Sequence, residues 1–531
     1  MYKRHLNQID LLDEPEYFGG IALDKDNEWV KLAKMIPWHE FENEYAEQFS
    51  GEAGQPACSV RIALGSLLIK ERYRFSDEET VAHITMNPYL QYFIGLKGYT
   101  TKSPFDPSVL TRFRKRISLK MLEEVNDIII GRPKEKDSAD EEDSDDHGSG
   151  SGGIVENDGT LILDATCAPQ NIRFPTDASL LNEARINAEG IIDILHWEGL
   201  TDGAKKPRTY REEAKKRYNS FSKSRKKSKK AIRKAIRQQL GYLRRDLKII
   251  DQIAVRHPDY MEYLSKWQRE RLPVIQILYA QQLEMYDTNT RRVEDRIVSL
   301  SQPWVRPIKR GKQNAETEFG AKVEMSDVNG FLRIEHLSWD AFNESTTLQE
   351  SVENYRKAYG HYPKRVLADT IFRTRENLQY CKSHDIHLNG PKLGKPNPDP
   401  EVRKQERHAE WVESGERGDI ERRFGIDKRC YSLGRITAKL QHTSEVMIYL
   451  SVLTLNLQKR LRFSCASFSV SALFGFLCRL SSRHYLPFTI MDSDLHPLDA
   501  SERNANNWDR VKTAPGSPLA GTVLLAAIAW F

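Results

Sequence analysis

Cysteine is scarce and scattered. Six fall among 531 residues, at Cys58, Cys167, Cys381, Cys430, Cys465 and Cys478, with no CxxC spacing. That argues against a disulfide framework and against a thiolate zinc site, and it fits a reducing cytoplasm. Long apolar runs are also missing. The opening stretch, MYKRHLNQIDLLDEPEYFGG, lacks the roughly 7–15-residue apolar segment of a secretory signal. The most apolar stretches lie at 463–480, with Arg479 as the one charge, and at 516–531, with none. Both fall short of the roughly 20 strongly apolar residues of a membrane helix. No repeat with a period of roughly 20–50 residues is visible. The remaining description is a soluble globular chain, 39% apolar and 29% charged. At roughly 150 residues per domain, it has room for two to four domains.

The overall charge of +5 says little, but its distribution says more. Residues 201–250 hold 19 Lys and Arg against 4 Asp and Glu, a net of +15, so the rest of the chain carries −10. Such an asymmetry points to a polyanion partner, and nucleic acid is the polyanion that suits a soluble cytoplasmic chain.

Four regions follow from the pattern. Residues 1–130 read as a helical N-terminal DNA-binding domain. Its segment VRIALGSLLIKERY has helical apolar spacing, and Ser76 with Glu79 forms a capping-box signal. A further helix is predicted from Asp106-Pro107-Ser108 onward, with Pro107 at its first position. It carries the basic residues Arg112, Arg114, Lys115 and Arg116. Residues 131–153 are an acidic and Gly/Ser-rich linker that cannot bury enough surface to offset its ordering entropy. Residues 154–460 read as a mixed α/β domain interrupted by a long helical, basic insertion at 204–300. Within that domain a strand ends at Asp164, and a helix over about 178–195 is capped by Asp177. A hairpin over 318–337 turns at Asn329-Gly330, a second strand ends at Asp369, and helices cover about 346–359, 375–383, 401–415 and 436–461. Residues 461–531 are an atypical tail, of which 463–480 is expected to pack as a helix.

Three acids stand out. Asp164 and Asp369 each close an apolar run, where an unpaired charge is costly, and Glu421 sits in the polar helical segment GERGDIERRFGIDKRCYSLGR. Read singly, each Asp is a turn or cap residue. Read together, carboxylates of this kind suit hard divalent ions, which prefer oxygen ligands and keep several waters.

At these residues the chain resembles a known family. SDEETVAHITMNPYLQYFIG (76–95), PFDPSVLTRFRKRI (104–117), LILDATCAPQNIRFPTD (161–177), VRPIKRGKQNAETEFGAK (305–322), ADTIFRTRENLQYC (368–381) and IERRFGIDKRCYSLGRI (420–436) are similar, in this order, to bacterial insertion-sequence transposases of the DDE type. The branch is the one whose signature is tyrosine, arginine, glutamate and lysine. Arg417, Glu421 and Lys428 match that spacing, and Ser414 stands where the tyrosine is expected. The resemblance covers about residues 1–460.

It implies a ribonuclease-H-like mixed sheet core with Asp164, Asp369 and Glu421 as catalytic residues and metal ligands. These would hold two Mg²⁺ ions, with Mn²⁺ as an alternative, to cut the element ends and join the freed 3′-hydroxyl to target DNA. Arg417 and Lys428 would hold phosphates. The partners implied are the terminal inverted repeats and target DNA, both double-stranded, bound by a homodimer among the nucleoid DNA of a bacterial cytoplasm, with no membrane. Arg225, Lys226, Lys227, Lys229, Lys230, Arg233 and Lys234 in the insertion, with Arg112, Arg114 and Arg116, are the expected duplex contacts. Trp304, Arg306, Lys309, Arg310 and Lys312 form a second basic patch with an aromatic, suited to single-stranded DNA. His336, Trp339 and Glu344 read as core or supporting residues. A catalytically inactive, DNA-binding remnant is the alternative, because Ser414 cannot stack on a base.

Overall fold

The computed structural model describes residues 2, 15–49, 57–131, 156–196, 205–312, 315–391, 394–395, 398–481, with side chains left out at Tyr17, 310–316 and beyond Phe463. The linker 132–153 and the tail beyond 481 lie outside the described residues, as do the side chains of Arg310 and Lys312.

The first seven helices are α1 (Glu28–Met35), α2 (Glu42–Glu47), α3 (Val60–Tyr73), α4 (Asp77–Met86), α5 (Pro88–Phe93), α6 (Val109–Arg116) and α7 (Leu119–Ile130). Ser59 caps α3, and Ser76 with Glu79 forms the expected capping box on α4. Two expectations need correcting. The run after Pro107 is two helices, because Ser118 caps a new start by accepting from the Met121 N–H. Pro107 precedes the first of them, whose N-cap is Ser108.

The next elements are β1 (Thr160–Pro169), α8 (Asp177–Leu195), α9 (Arg211–Lys223), α10 (Lys229–Arg256) and α11 (Lys266–Thr288). Thr176, not Asp177, caps α8, since the Thr176 hydroxyl reaches the Ser179 N–H. Asp177 instead receives Arg296 at 2.7 Å. Residues 211–288 of the insertion are largely helical, and their core is shared with α8. Leu240, Leu243, Leu247 and Ile250 of α10 pack with Leu181, Ala184, Ile191 and Ile192 of α8 and with Ile275 and Leu278 of α11.

Then follow β2 (Arg306–Lys312), β3 (Ala315–Val328), β4 (Phe331–Ser338), α12 (Leu348–Tyr359), β5 (Arg365–Leu367), α13 (Arg375–Ser383), β6 (His387–Leu388), α14 (Pro400–Cys430) and α15 (Gln441–Ser481). The strands form one mixed sheet in the order β2-β3-β1-β5-β6, with β4 also on β3. β1 is antiparallel to β3 and parallel to β5, and β5 is parallel to β6. β1 and β3 run so close at Gly320 that a Cβ there would strike the Ala168 carbonyl.

The hairpin turns at Asn329 and Gly330, both with positive φ (53° and 79°), the backbone of a tight primed turn. Lys459 of α15 donates to the Asn329 carbonyl. Arg423 of α14 donates to Asp327 at 2.5 Å. The turn is therefore held by the two long C-terminal helices. α14 is one 31-residue helix rather than a segment ending near 415, and it runs unbroken through Gly425. α15 begins later than expected, because Ile436 is extended and bridges Gln170.

α15 joins the parts. Its Val446, Leu450, Leu453, Leu457 and Leu461 share a core with α3, α6 and α7. Its Met447, Ile448 and Val452 pack against Val323 and Met325 of β3. Spacings of three and four residues put the first set on one helix face, and the second set lies beside it. The N-terminal helices thus complete their core with a helix from the other end of the chain. Among the described residues, no helix is long and apolar enough to cross a membrane.

Candidate active site

The cavity of interest lies where β1, the end of β5 and α14 meet. It measures about 440 Å³, and Asp164, Asp369, Glu421, Glu344, Arg417, Lys428, Lys309 and Lys322 are among its lining. The three acids predicted from the sequence, which are far apart along the chain, thus share one cavity with the two predicted cations.

Each is positioned by ordinary local structure. Asp164 does not end its strand. β1 continues to Pro169, because Ala165–Pro169 stay paired with β3 down to Gly320. Asp164 follows buried Leu163 and so faces the opposite side of the sheet, the side that α14 covers. The strand tolerates this charge because the side chain opens into the cavity and accepts from the Ala165 N–H at 2.8 Å. Asp369 follows β5 and caps a short 3-10 turn (Thr370–Phe372), accepting from the Thr370 N–H at 2.7 Å. Glu421 and Arg417 are one helical turn apart on α14 and form an ion pair at 3.4 Å. Lys428 is nearly two turns further on.

Burial pushes the Asp164 carboxyl up to about 6. The Ala165 N–H and Arg417 pull it down, and Glu421 and Glu344 push it up again. Glu344 is itself held by Lys322 at 2.7 Å, and Lys322 also donates to the Phe342 carbonyl at 2.8 Å.

This arrangement gathers acids in a partly buried space, where a cation would relieve the strain between them. The donors are all carboxylate oxygens, the type that hard divalent ions take. Among the described residues, however, no group of three or more His, Cys, Asp or Glu stands close enough together to hold a metal ion. The acids are spaced around the cavity, and the Glu421 side chain is 58% exposed and tied by its one 3.4 Å pair with Arg417. The carboxylates match a divalent ion in donor type, and their spacing around the cavity does not form a ligand cluster.

The other predicted residues divide. Arg225, Lys226, Lys227, Lys229, Lys230, Arg233 and Lys234 are all exposed. Arg112 is exposed too. Arg114 and Arg116 have partners within the fold. Arg114 grips Asp77 with bonds of 3.0 and 2.7 Å, and the Arg116 guanidinium lies 4.3 Å over the Phe49 ring. α6 turns Leu110 and Phe113 inward, which carries its neighbours toward those partners.

Of the second basic patch, Arg306 is turned toward Asp340 at 3.2 Å and Trp304 packs edge-on to Trp339. Lys309 reaches the cavity. Trp339 is core, and its indole donates to Glu445 at 2.8 Å. His336 packs edge-on to Phe342. Glu344 lines the cavity, closer to the acids than its sequence context suggests. Lys322 is a cavity residue that the sequence did not single out. Its alternation with Ala321 and Val323 on a strand was the available signal. Ser414 is exposed and does not line the cavity, and Trp411, one turn earlier, is 74% exposed.

Comparison with known proteins adds to this geometry. Residues 20–116 match a family described as "Transposase domain (DUF772)", and residues 366–458 match one described as "Transposase DDE domain". The second segment contains Asp369, Arg417, Glu421 and Lys428; Asp164 and the insertion lie outside both. An uncharacterised protein, ORF8 in the nfe locus of Rhizobium meliloti, is 30% identical over 155 residues, which are 29% of this chain and 68% of that protein. No solved structure matches the chain.

Proposed function

The chain belongs to the insertion-sequence transposases of the DDE type, and on that premise we propose that it cuts element ends and joins the freed 3′-hydroxyl to target DNA at the cavity of Asp164, Asp369 and Glu421. The observation that carries this reading is the convergence of those three carboxylates, from β1, from the turn after β5 and from α14, on one cavity with Arg417 and Lys428. The strand order, three antiparallel strands continued by two parallel ones, supports a ribonuclease-H-like core.

In this reading Asp164, Asp369 and Glu421 would hold divalent ions, Mg²⁺ by preference, whose chemistry would be to activate an oxygen nucleophile and stabilise a leaving oxygen. The protein does the rest. Asp164 is fixed by the rigid pairing of β1 and β3. Glu421 sits on a helix pinned to the hairpin through Arg423, and so keeps its height above Asp164. Arg417 balances the acids while the site is empty of DNA and turns to a phosphate when one enters. Lys428 and Lys309 extend that positive rim, and Lys322 holds Glu344 in an ion pair. The seven exposed cations of 225–234 hold DNA phosphates regardless of sequence. Ser414 offers no ring to an extruded base, so any base stacking comes from elsewhere on the surface.

The test is Asp164→Asn, assayed on DNA carrying both natural flanks of the reading frame with Mg²⁺ supplied. End cleavage and strand transfer should disappear, while duplex binding stays within about twofold, since a metal ligand is lost and not a phosphate contact. Cleavage by the Asn variant at the wild-type rate would remove Asp164 from the chemistry.

A further inference from the structure

Beside the active cavity, a second and larger hollow of about 1140 Å³ runs between the insertion and the edge of the sheet. We propose that this groove holds an unpaired DNA strand, leading it to or from the active cavity; the proposal rests on the DNA-cutting reading above and extends it to the form of the substrate. The groove is built from the loop after β1, the facing sides of α9 and α10, the end of α11 with its following loop, and strands β2 and β3. Lys309 lines both hollows, so the two are neighbours at that side chain.

Its charge selects a polyanion. Eight Lys and Arg side chains line it against a single carboxylate, Asp177. That carboxylate is already engaged by Arg296 at 2.7 Å and by the Gln282 amide at 3.1 Å. Charge alone would serve a duplex or a small phosphate equally well.

The rings decide between them. Phe174 is 71% exposed, a large apolar ring left in water, and meets Phe319 edge-on at 5.6 Å. Tyr286 lies 4.1 Å beneath the Arg233 guanidinium, and Phe221 lies 5.5 Å from the Lys227 ammonium. An open ring beside ring–cation pairs in one groove suits an unpaired strand, a base stacking on Phe174 while the backbone follows the charges and draws the cations off the other rings. A duplex keeps its base faces inside the stack and cannot reach such rings. The outer surface at Arg225, Lys226 and Lys230 is exposed and basic, which is the surface a duplex needs. The arm therefore has two faces, one for paired DNA and one for an unpaired strand.

The test uses the full chain and two fluorescent DNA probes, a blunt duplex and the same duplex with a short unpaired tail, with affinity read by anisotropy at fixed salt. The tailed duplex should bind about tenfold more tightly, since stacking is worth roughly 1–3 kcal/mol per base and each ~1.4 kcal/mol is tenfold. Phe174→Ala should remove most of that preference and leave blunt-duplex affinity unchanged. Phe174→Tyr should keep the preference. Equal affinity for the two probes, or a preference that survives both Phe174→Ala and Tyr286→Ala, overturns the groove assignment while leaving the transposase reading standing. Failure to bind either probe would overturn both.

Discussion

The N-terminal helix α6 and the arm around α10 carry the same sequence signal, a cluster of Arg and Lys, and put it to opposite uses. On α6, Arg114 is clamped to Asp77 and Arg116 covers Phe49, so two of its cations serve the fold. On the arm, all seven named cations face solvent. The cause is the company each cluster keeps. α6 is short and turns Leu110 and Phe113 into the core, beside the acidic first turn of α4 (Asp77, Glu78, Glu79). The arm has no acid between Glu213 and Asp246, and Asp77, which holds Arg114 on α6, has no counterpart within that stretch. A basic run signals a polyanion partner only where the fold offers no acid of its own.

The largest expected effect breaks the arm's side of the comparison. Replacing Arg225, Lys226, Lys227, Lys229, Lys230, Arg233 and Lys234 by Gln should leave the helices intact, since Gln has similar helix propensity to Lys and Arg. If each cation meets a phosphate, the slope of log affinity against log salt should fall by up to about 6. Duplex affinity at moderate salt should drop by at least about 100-fold. An unchanged slope between 50 mM and 200 mM salt, roughly the range over which such contacts are read, would return the arm to a solvated surface.

The interior of the bundle sharpens the comparison by responding to pH instead of salt. Glu71 of α3 and Asp427 of α14 are sealed at the seam between the N-terminal helices and the C-terminal part of the chain. Burial raises Glu71 to about 7 and Asp427 to about 8. Glu71 accepts from the Ser432 N–H at 2.5 Å, and Asp427 accepts from the Ser451 hydroxyl. Both are favoured protonated in the fold and ionise in the ordinary carboxylate range when unfolded. Their contribution is thus fully present at low pH and is lost as pH climbs through about 7 and about 8. The melting temperature should be lower at pH 8.5 than at pH 5.5. Asp427→Asn should shrink that difference, and the arm variant should leave it as it is. A pH-independent difference between wild type and Asp427→Asn would mean the carboxyl is ionised in place.

How much of this was legible depended on whether local or distant residues decide. Capping at Ser76, the turn at Asn329-Gly330 and the helix Arg375–Ser383 depend on neighbours in sequence and could be read there. The acids Asp164, Asp369 and Glu421 and the cations Arg417 and Lys428 were legible as a set, through the ordered resemblance of six stretches. Asp164 reads as a strand end from its own neighbours, and its strand continues only by virtue of β3, about 155 residues away by register. The break between α6 and α7, the inward turn of Arg114 and Arg116, and the cavity position of Lys322 and Glu344 all depend on contacts from elsewhere in the fold. So does α15, whose two apolar faces are indistinct in its own sequence and are separated only by what packs on each side.

The smallest effect is also the closest comparison, because it concerns two residues of one short helix. Arg112 is exposed, and Arg114, two positions on, is paired with Asp77 and 12% exposed. Arg112→Ala should leave the melting temperature unchanged and lower the salt slope by about 0.9, the share of one phosphate. Arg114→Ala should do the reverse. It leaves Asp77 with Lys70, 3.0 Å away, as its remaining partner. Losing hydrogen bonds to a charged group costs about 1.5–3 kcal/mol, and screening at this partly open site brings the expectation to the lower end. The salt slope should not move. If Arg114→Ala instead lowered the slope and left stability alone, the pair with Asp77 would be one that DNA breaks on binding, and α6 would join the arm as a duplex surface.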